Sequence, residues 1–152
     1  MDSLQQLLAI EEIRQLKARY FRYMDTKDWS AFESLFAPDA VMDMRGEMHD
    51  GRDDEGIVRG AAGIAAFVRS AVDAVETVHH GHTPEIELLS ADSARGIWAM
   101  EDVLRWPEGG PLRTLQGYGH YHETYTRLEG RWHIASTRLE RLRVDLDPPP
   151  PA

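Results

Sequence analysis

The chain of 152 residues has the length of a single domain, and its hydrophobic content of 42% is sufficient for a buried core. Acidic residues outnumber basic ones by 26 to 17, and the formal net charge of −9 disfavours binding to nucleic acid or to an anionic membrane surface. The absence of cysteine excludes disulfides and thiolate metal sites. The N-terminus is acidic and amphipathic and resembles neither a signal peptide nor a membrane span, so we expect a cytoplasmic protein.

Helices are predicted in the first half of the chain. Apolar residues at helical spacing indicate a first helix over residues 2–24, capped by Asp2 or Ser3. Asp28 is a good N-cap for a second helix that Pro38 ends. Residues 40–44 then favour a short strand, residues 45–59 a polar loop or weak hairpin, and residues 60–75 a third helix.

From residue 76 the apolar pattern changes to period two. Strands are predicted over residues 77–89, 94–106, 115–128 and 132–144. Residues 1–146 are expected to form one domain, and residues 147–152 an extended Pro-rich tail. Helices followed by an antiparallel meander predict an α+β fold, in which one sheet curls around the helices and encloses a cavity.

The main chemical signal is Asp25 combined with a histidine cluster about fifty residues later. A helix dipole disfavours an anion at its C-terminal end, so Asp25 is either a turn residue that caps the second helix or a carboxylate with a partner. Strict alternation places His80 and His82 on the apolar face and His79 on the other, although the nearby glycine and proline permit a bulge that shifts the phase. A carboxylate next to an imidazole would form a proton-transfer dyad.

Other side chains are candidates for the cavity wall. Asp102 shares its predicted face with apolar residues, where an acid is either paired or functional. Tyr20 lies on the buried stripe of the first helix, where its hydroxyl could donate to a substrate oxygen or its ring could simply pack in the core. The remaining candidates for substrate binding are His80, Trp98, Tyr118, His120 and Arg138. For most of them the competing interpretation is an aromatic ladder between strands or a surface ion pair.

A metal centre is a weaker interpretation. His80, His82 and Glu87 have the spacing of a cupin motif, and His120 and His122 form a second pair. Cupins consist mainly of strands from the start, whereas predicted helices lead here, and the second cupin motif is absent. The sequence also lacks a Gly-rich phosphate loop, so it predicts neither a metal nor an organic cofactor, with a cupin-like metalloenzyme as an alternative.

The segment YFRYMDTKDW at residues 20–29, followed by LFAPDA at residues 35–40, resembles the opening of SnoaL-like domains in the nuclear transport factor 2-like superfamily. TVHHGH at residues 77–82 and GRWHI at residues 130–134 are similar to later signatures of that family, and the resemblance covers residues 4–144. It implies a cone-shaped fold, with a curved antiparallel sheet wrapped by N-terminal helices. These motifs are specific for the fold and poorly specific for the reaction.

The resemblance also implies roles for individual residues. The superfamily includes scytalone dehydratase, bile acid 7α-dehydratase, hexachlorocyclohexane dehydrochlorinase, polyketide cyclases and ketosteroid isomerase. Several members use a His–Asp dyad as base, which here would be His79 with Asp25. Tyr20 and Asp102 match pocket residues of the bile-acid dehydratase, and Arg138 lies near a basic residue found on the last strand of some members.

The functional hypothesis is therefore a small lyase or isomerase that removes a proton from a hydrophobic, oxygenated substrate such as a steroid, polyketide or terpenoid. The alternative is a non-catalytic ligand-binding or assembly module of the same fold. A homo-oligomer, either dimer or trimer, is expected because members of the superfamily commonly associate through the outer face of the sheet.

Overall fold

The structure is a computed structural model, and it describes residues 1–45 and 56–148. In chain order these residues form α1 (Ser3–Asp25), α2 (Trp29–Glu33), β1 (Phe36–Asp43), β2 (Ile57–Arg59), α3 (Ala61–Val72), β3 (Glu76–Gly81), β4 (Glu85–Leu88), β5 (Ser93–Arg105), β6 (Thr114–Leu128) and β7 (Arg131–Asp147). The predicted order is confirmed: two helices and a strand come first, α3 follows, and the remaining strands form the second half of the chain.

Helix α1 begins and ends where its local chemistry requires. Asp2 and Gln5 form a capping box, in which each side chain accepts a hydrogen bond from the backbone N–H of the other residue. The helix stops at Asp25, and Lys27 then adopts a left-handed conformation with φ of 61°. The buried face of α1 follows the predicted stripe and consists of Ala9, Ile13, Leu16, Lys17, Tyr20, Phe21 and Met24.

The strands form one curved, unclosed sheet in the order β2-β1-β7-β6-β5-β3, and β4 pairs with β5 beyond the end of β3. The sheet was expected to be antiparallel throughout, but β1 and β7 pair in parallel. These two strands are separated by most of the chain, so no hairpin turn fixes their relative direction. Every other pairing among the described strands is antiparallel.

Strand β1 corrects a second expectation. The second helix was predicted to continue to Pro38, but α2 ends at Glu33 and Pro38 lies within β1. The register between β1 and β7 shifts between Phe36 and Val41, and such irregular positions tolerate a proline that cannot donate a backbone hydrogen bond. The predicted loop or weak hairpin at residues 45–59 falls largely outside the described residues, although Ile57–Arg59 pairs antiparallel with β1.

The predicted strand over residues 77–89 is divided into β3 and β4, and the break changes which residues face inward. Gly81 is opposite Met100 and Glu85 is opposite Ile97, so three residues face two on the partner strand. This extra residue shifts the alternation. His79 is consequently buried before the break, whereas even-numbered residues face inward after it.

The end of the chain also differs from prediction. Strand β7 continues to Asp147, three residues beyond the predicted end of the last strand, and Asp147 is opposite Thr114 in the sheet. The first residue assigned to the Pro-rich tail is therefore part of β7, and residues 149–152 lie outside the described residues. The inner face of the sheet packs against α1 and α3, and the core lies between these layers.

Candidate active site

Asp25 and His79 meet inside the fold although 54 residues separate them. Asp25 is the last residue of α1, and His79 is a buried residue of β3. The Nδ1 atom of His79 lies 2.7 Å from Oδ1 of Asp25, and the backbone N–H of His79 donates to Oδ2 at 2.9 Å. Since a carboxylate can only accept, Nδ1 carries the ring proton and Nε2 of the neutral ring keeps its lone pair.

Hydrogen-bond donors from β3 and from the turn after α1 compensate for the unfavourable position of Asp25 at a helix C-terminus. The Thr77 hydroxyl donates to Oδ1 of Asp25 at 2.9 Å, and Nζ of Lys27 donates to the Thr77 oxygen at 2.9 Å. Burial lowers the pKa of Lys27 by more than Asp25 and Asp73 raise it. The alternative role of Asp25, a cap for α2, belongs instead to Asp28, whose side chain accepts from the N–H of Ala31.

The other side of the His79 ring faces a second acid. Oδ2 of Asp102 lies 3.7 Å from Nε2 of His79, and Asp102 itself is only 3% exposed. Arg141 donates to both oxygens of Asp102, at 2.7 and 2.9 Å, in a bidentate ion pair. Gly117 provides space for this pair, because a Cβ atom there would collide with both the Asp102 carboxylate and the Arg141 guanidinium.

A cavity of about 250 Å³ opens beside these groups. His79, Asp102, Arg141, Tyr20 and Tyr121 supply much of its chemistry, and most of the remaining wall is apolar. The other residues that line it are Met24, Met42, Asp43, Met44, Phe67, Val68, Ala71, Val72, Leu104, Trp106, Leu115, Thr137 and Leu139. Phe21 packs against the site, because its ring stacks on the His79 ring with 6.2 Å between the two centroids.

Three of the predicted substrate-binding residues, His80, Tyr118 and His120, lie on the outer face instead. His80 is 60% exposed and contacts Glu101 at 3.2 Å, and His82 approaches the same glutamate at 3.7 Å. The shifted phase of β3 turns His79 inward and His80 outward. The side chains of Tyr118 and His120 also face outward, because these residues alternate with the buried Gly117, Gly119 and Tyr121 of β6.

Trp98 and Arg138 also do not line the cavity. Trp98 is buried in another part of the core, where its Nε1–H donates to the Tyr125 hydroxyl at 2.8 Å. Arg138 is exposed, lies 3.7 Å from Glu140 and borders a different, open groove of about 870 Å³. A bulge at Ala135 reverses the alternation of β7 after Ile134, which turns Arg138 outward.

Sequence reasoning missed the basic residue that does reach the cavity. Arg141 shares its face of β7 with the buried Thr137 and Leu139, a period-two relationship that the sequence displays. Alternation from those residues would have selected Arg141, but only once the bulge had been located. Arg141 also lies opposite Gly119 in β6, two residues from Gly117, the glycine that provides space for its ion pair with Asp102.

A second buried ionic cluster was also missed. Lys17 of α1 and Glu123 of β6 form an ion pair in which both side chains are 0% exposed. Glu123 also accepts hydrogen bonds from the hydroxyls of Tyr125 and Thr137. Burial lowers the pKa of Lys17 despite the opposing effect of Glu123, and burial together with Glu123 raises the pKa of Tyr125 well above its usual range. Lys17 lies on the same stripe as Tyr20, so periodicity alone suggested only an apolar face.

Within the described part of the chain, no group of three or more His, Cys, Asp or Glu residues is arranged to hold a metal ion. Glu87 of the cupin-like pattern pairs with Arg95 at 2.7 Å. Across residues 1–45 and 56–148, no helix has both the length and the apolar character needed to cross a membrane.

The family model for the SnoaL-like domain matches residues 5–138. The chain belongs to this family. The SnoaL-like chain is 29% identical over 135 residues to "Probable cyclase FGR4" of Gibberella zeae, a match that covers 86% of this chain and 89% of that protein. The match therefore extends over nearly the full length of both proteins.

Solved structures show the same fold. Hexachlorocyclohexane dehydrochlorinase (LinA) Type2 superposes with a TM-score of 0.81 at 19% identity, covering 99% of both chains. A Novosphingobium aromaticivorans protein with a provisional assignment as scytalone dehydratase gives a TM-score of 0.82 at 16% identity, also covering 99% of both. These similarities confirm the predicted NTF2-like α+β fold.

Proposed function

We propose that this SnoaL-like protein is a small lyase of the dehydratase type, which uses His79 as the base and Asp25 to orient it. The supporting observation is the geometry of the His79 ring, whose Nδ1 is bound by Asp25 while Nε2 is directed toward Asp102 beside the cavity. The names of the relatives, a cyclase, a dehydrochlorinase and a dehydratase, fit chemistry in which a proton is removed from carbon.

In the proposed reaction, Nε2 of His79 removes a proton from the carbon next to a substrate carbonyl. The released electron pair forms a C=C bond as the C–O bond to the adjacent hydroxyl breaks. The imidazolium of His79 returns the proton to that hydroxyl, which leaves as water. If the same proton is returned to another carbon of the substrate instead, the reaction is an isomerisation.

Asp102 and Arg141 stabilise this cycle without supplying a proton. A carboxylate held by a bidentate guanidinium is poorly suited to donate a proton, so His79 serves as the acid as well as the base. When His79 is protonated, it lies between the carboxylates of Asp25 and Asp102, which stabilise its positive charge. Tyr20 contributes to the cavity wall that faces the substrate.

The test is turnover of lipophilic hydroxy-ketones by the wild type and two variants, Asp25→Asn and His79→Gln. General-base catalysis contributes about 10²–10⁴-fold, so each variant should lose turnover by that order while remaining folded. His80→Gln is the matched control, because His80 is next to the base in sequence but exposed on the outer face. If both dyad variants keep full turnover, the assignment of the base is wrong.

The same panel addresses the alternative of a non-catalytic binding module, which would give ligand binding without turnover. The expected homo-oligomer, dimer or trimer, and the cytoplasmic location stay predictions, as does the absence of a nucleic-acid partner. Cross-linking and sedimentation of the purified protein would measure the oligomeric state directly.

A further inference from the structure

We propose that the cavity selects an uncharged ligand of one or two rings, and that Asp102 is the residue that excludes carboxylates. This inference rests on the proposed use of the cavity as the substrate site. It narrows the substrate class expected from the sequence, because it removes steroids and organic acids from the candidates.

The charge inside the cavity is set by the titratable side chains that line it. Among the described residues these include two acids, Asp43 and Asp102, and one strong base, Arg141. Asp43 is paired with Arg45, which donates to both of its oxygens. Arg141 directs both terminal nitrogens to the Asp102 oxygens, so the guanidinium charge is already balanced. Asp25 adds a further negative charge directly behind the His79 ring.

A ligand carboxylate would therefore enter a site with no surplus of positive charge among the described lining residues. It would lose part of its hydration and approach the Asp102 carboxylate in a poorly solvated cavity. Two like charges in such surroundings repel by an energy equivalent to about tenfold or more in affinity. An uncharged hydroxyl or carbonyl group meets no such penalty.

The cavity volume of about 250 Å³ limits the size of the ligand. A dry protein cavity of about 150 Å³ is large enough for benzene, whereas drug-sized ligands occupy pockets of about 300–1,000 Å³. The volume therefore suits one or two small rings and is too small for the four rings of a steroid. Apolar walls supplied by Phe67, Leu104 and Trp106 fit a hydrocarbon skeleton.

Three probes with one skeleton test the charge argument: perillyl alcohol, methyl perillate and perillate. Calorimetric titration of the wild type at neutral pH should show similar affinity for the alcohol and the ester, and about tenfold or more weaker binding of perillate. Progesterone, the size probe, should not bind. The inference is overturned if perillate binds as tightly as the alcohol, if progesterone binds as tightly as the alcohol, or if the alcohol fails to bind.

A substitution then tests whether Asp102 causes the selection. Asp102→Asn removes the charge that balances Arg141, and it should improve perillate affinity by about tenfold while changing alcohol affinity by less than about threefold. Glu101→Gln is the matched control, since it removes a charge from the adjacent residue on the outer face and should change neither affinity. Should Asp102→Asn fail to fold, the comparison of perillate with its methyl ester still decides whether the cavity excludes carboxylates.

The outcome is separable from that of the turnover experiment. Selective binding of the uncharged probes without any turnover of hydroxy-ketones would support this inference and count against the proposed lyase. Turnover that depends on His79, combined with equal binding of perillate, would support the lyase and overturn this inference.

Discussion

Two ionic clusters lie on the inner side of the sheet, and they differ in whether a reactive atom reaches the cavity. The first cluster, called the dyad cluster, contains Asp25, His79, Asp102 and Arg141. The second, called the lysine cluster, contains Lys17, Glu123, Tyr125 and Thr137. Both bring residues from α1 together with residues from distant strands.

The lysine cluster satisfies its groups internally. Both oxygens of Glu123 accept hydrogen bonds, and Nζ of Lys17 lies 3.5 Å from the ring centroid of Tyr121 and 3.9 Å from that of Tyr20. In the dyad cluster, Nε2 of His79 is 3.7 Å from Asp102, which is beyond hydrogen-bonding distance. Buried charge alone therefore does not identify a site, whereas an oriented base beside a cavity does.

The largest effect on stability is expected from Lys17→Met in the lysine cluster. The change leaves Glu123 buried without its cation, which should lower the free energy of unfolding by about 3–5 kcal/mol. His79→Gln, in the dyad cluster, should lower it by a smaller amount, about 0.5–1.5 kcal/mol, because it removes one hydrogen bond to Asp25. Urea unfolding followed by circular dichroism measures both.

The double variant Lys17→Met with Glu123→Gln is the control, since it removes both charges and keeps a side chain that can accept from Tyr125 and Thr137. It should recover much of the lost stability, because replacing a whole buried ion pair is commonly tolerated. A loss below about 1 kcal/mol for Lys17→Met would show that the lysine cluster is not structural.

A second prediction concerns the packing of the dyad cluster. Gly117→Ala places a Cβ atom against Asp102 and Arg141, so it should lower the free energy of unfolding by about 1–3 kcal/mol and also reduce turnover. Gly63→Ala is the control, because its Cβ atom would meet only Val58 at an ordinary contact distance of 3.8 Å, within α3. Equal effects of the two substitutions in urea unfolding would contradict the close packing around Gly117.

The two regions also differ in how far the sequence predicted them. Period-two and helical spacing located α1 and the main strands, since burial of one face imposes those periods directly. The contact of Asp25 with His79 came from family resemblance, because spacing carries no information about which distant segments meet. Simple alternation favoured His80, and the extra residue between β3 and β4 reverses that result.

Bulges explain why His80 and Arg138 were misplaced. The bulge at Ala135 determines that Arg141, and not Arg138, shares the inner face of β7. An inserted residue changes the facing of every residue after it. The glycine and proline after His79 permitted the first insertion, whereas no local pattern marked the one at Ala135. The lysine cluster was missed for a different reason: a lysine on an apolar stripe gives no sign of its partner when that partner, Glu123, lies 106 residues away.

A third prediction concerns how the stability contributed by the lysine cluster depends on pH. The pKa of Tyr125 is raised by burial and by Glu123, so the folded protein keeps this proton where the unfolded chain has lost it. Stability should therefore fall as pH rises above about 10, by at most about 1.4 kcal/mol per pH unit for this group. Tyr125→Phe should show a smaller alkaline loss in urea unfolding than the wild type, whereas Tyr23→Phe, at a partly exposed tyrosine, should retain the loss in full.

The smallest predicted effect concerns Thr77, which connects Lys27 to the dyad. Thr77→Val removes the hydroxyl that donates to Asp25, and one such hydrogen bond contributes about 0.5–1.5 kcal/mol, equivalent to about a twofold to tenfold loss of turnover. Thr77→Ser keeps the hydroxyl and should retain more activity than Thr77→Val. Equal turnover numbers for the two variants would show that the other donors alone hold the carboxylate. If turnover decreases from wild type to Thr77→Ser to Thr77→Val, the Thr77 hydroxyl helps to orient the Asp25 carboxylate. The position of Nε2 of His79 then depends on the hydrogen bonds that hold this carboxylate.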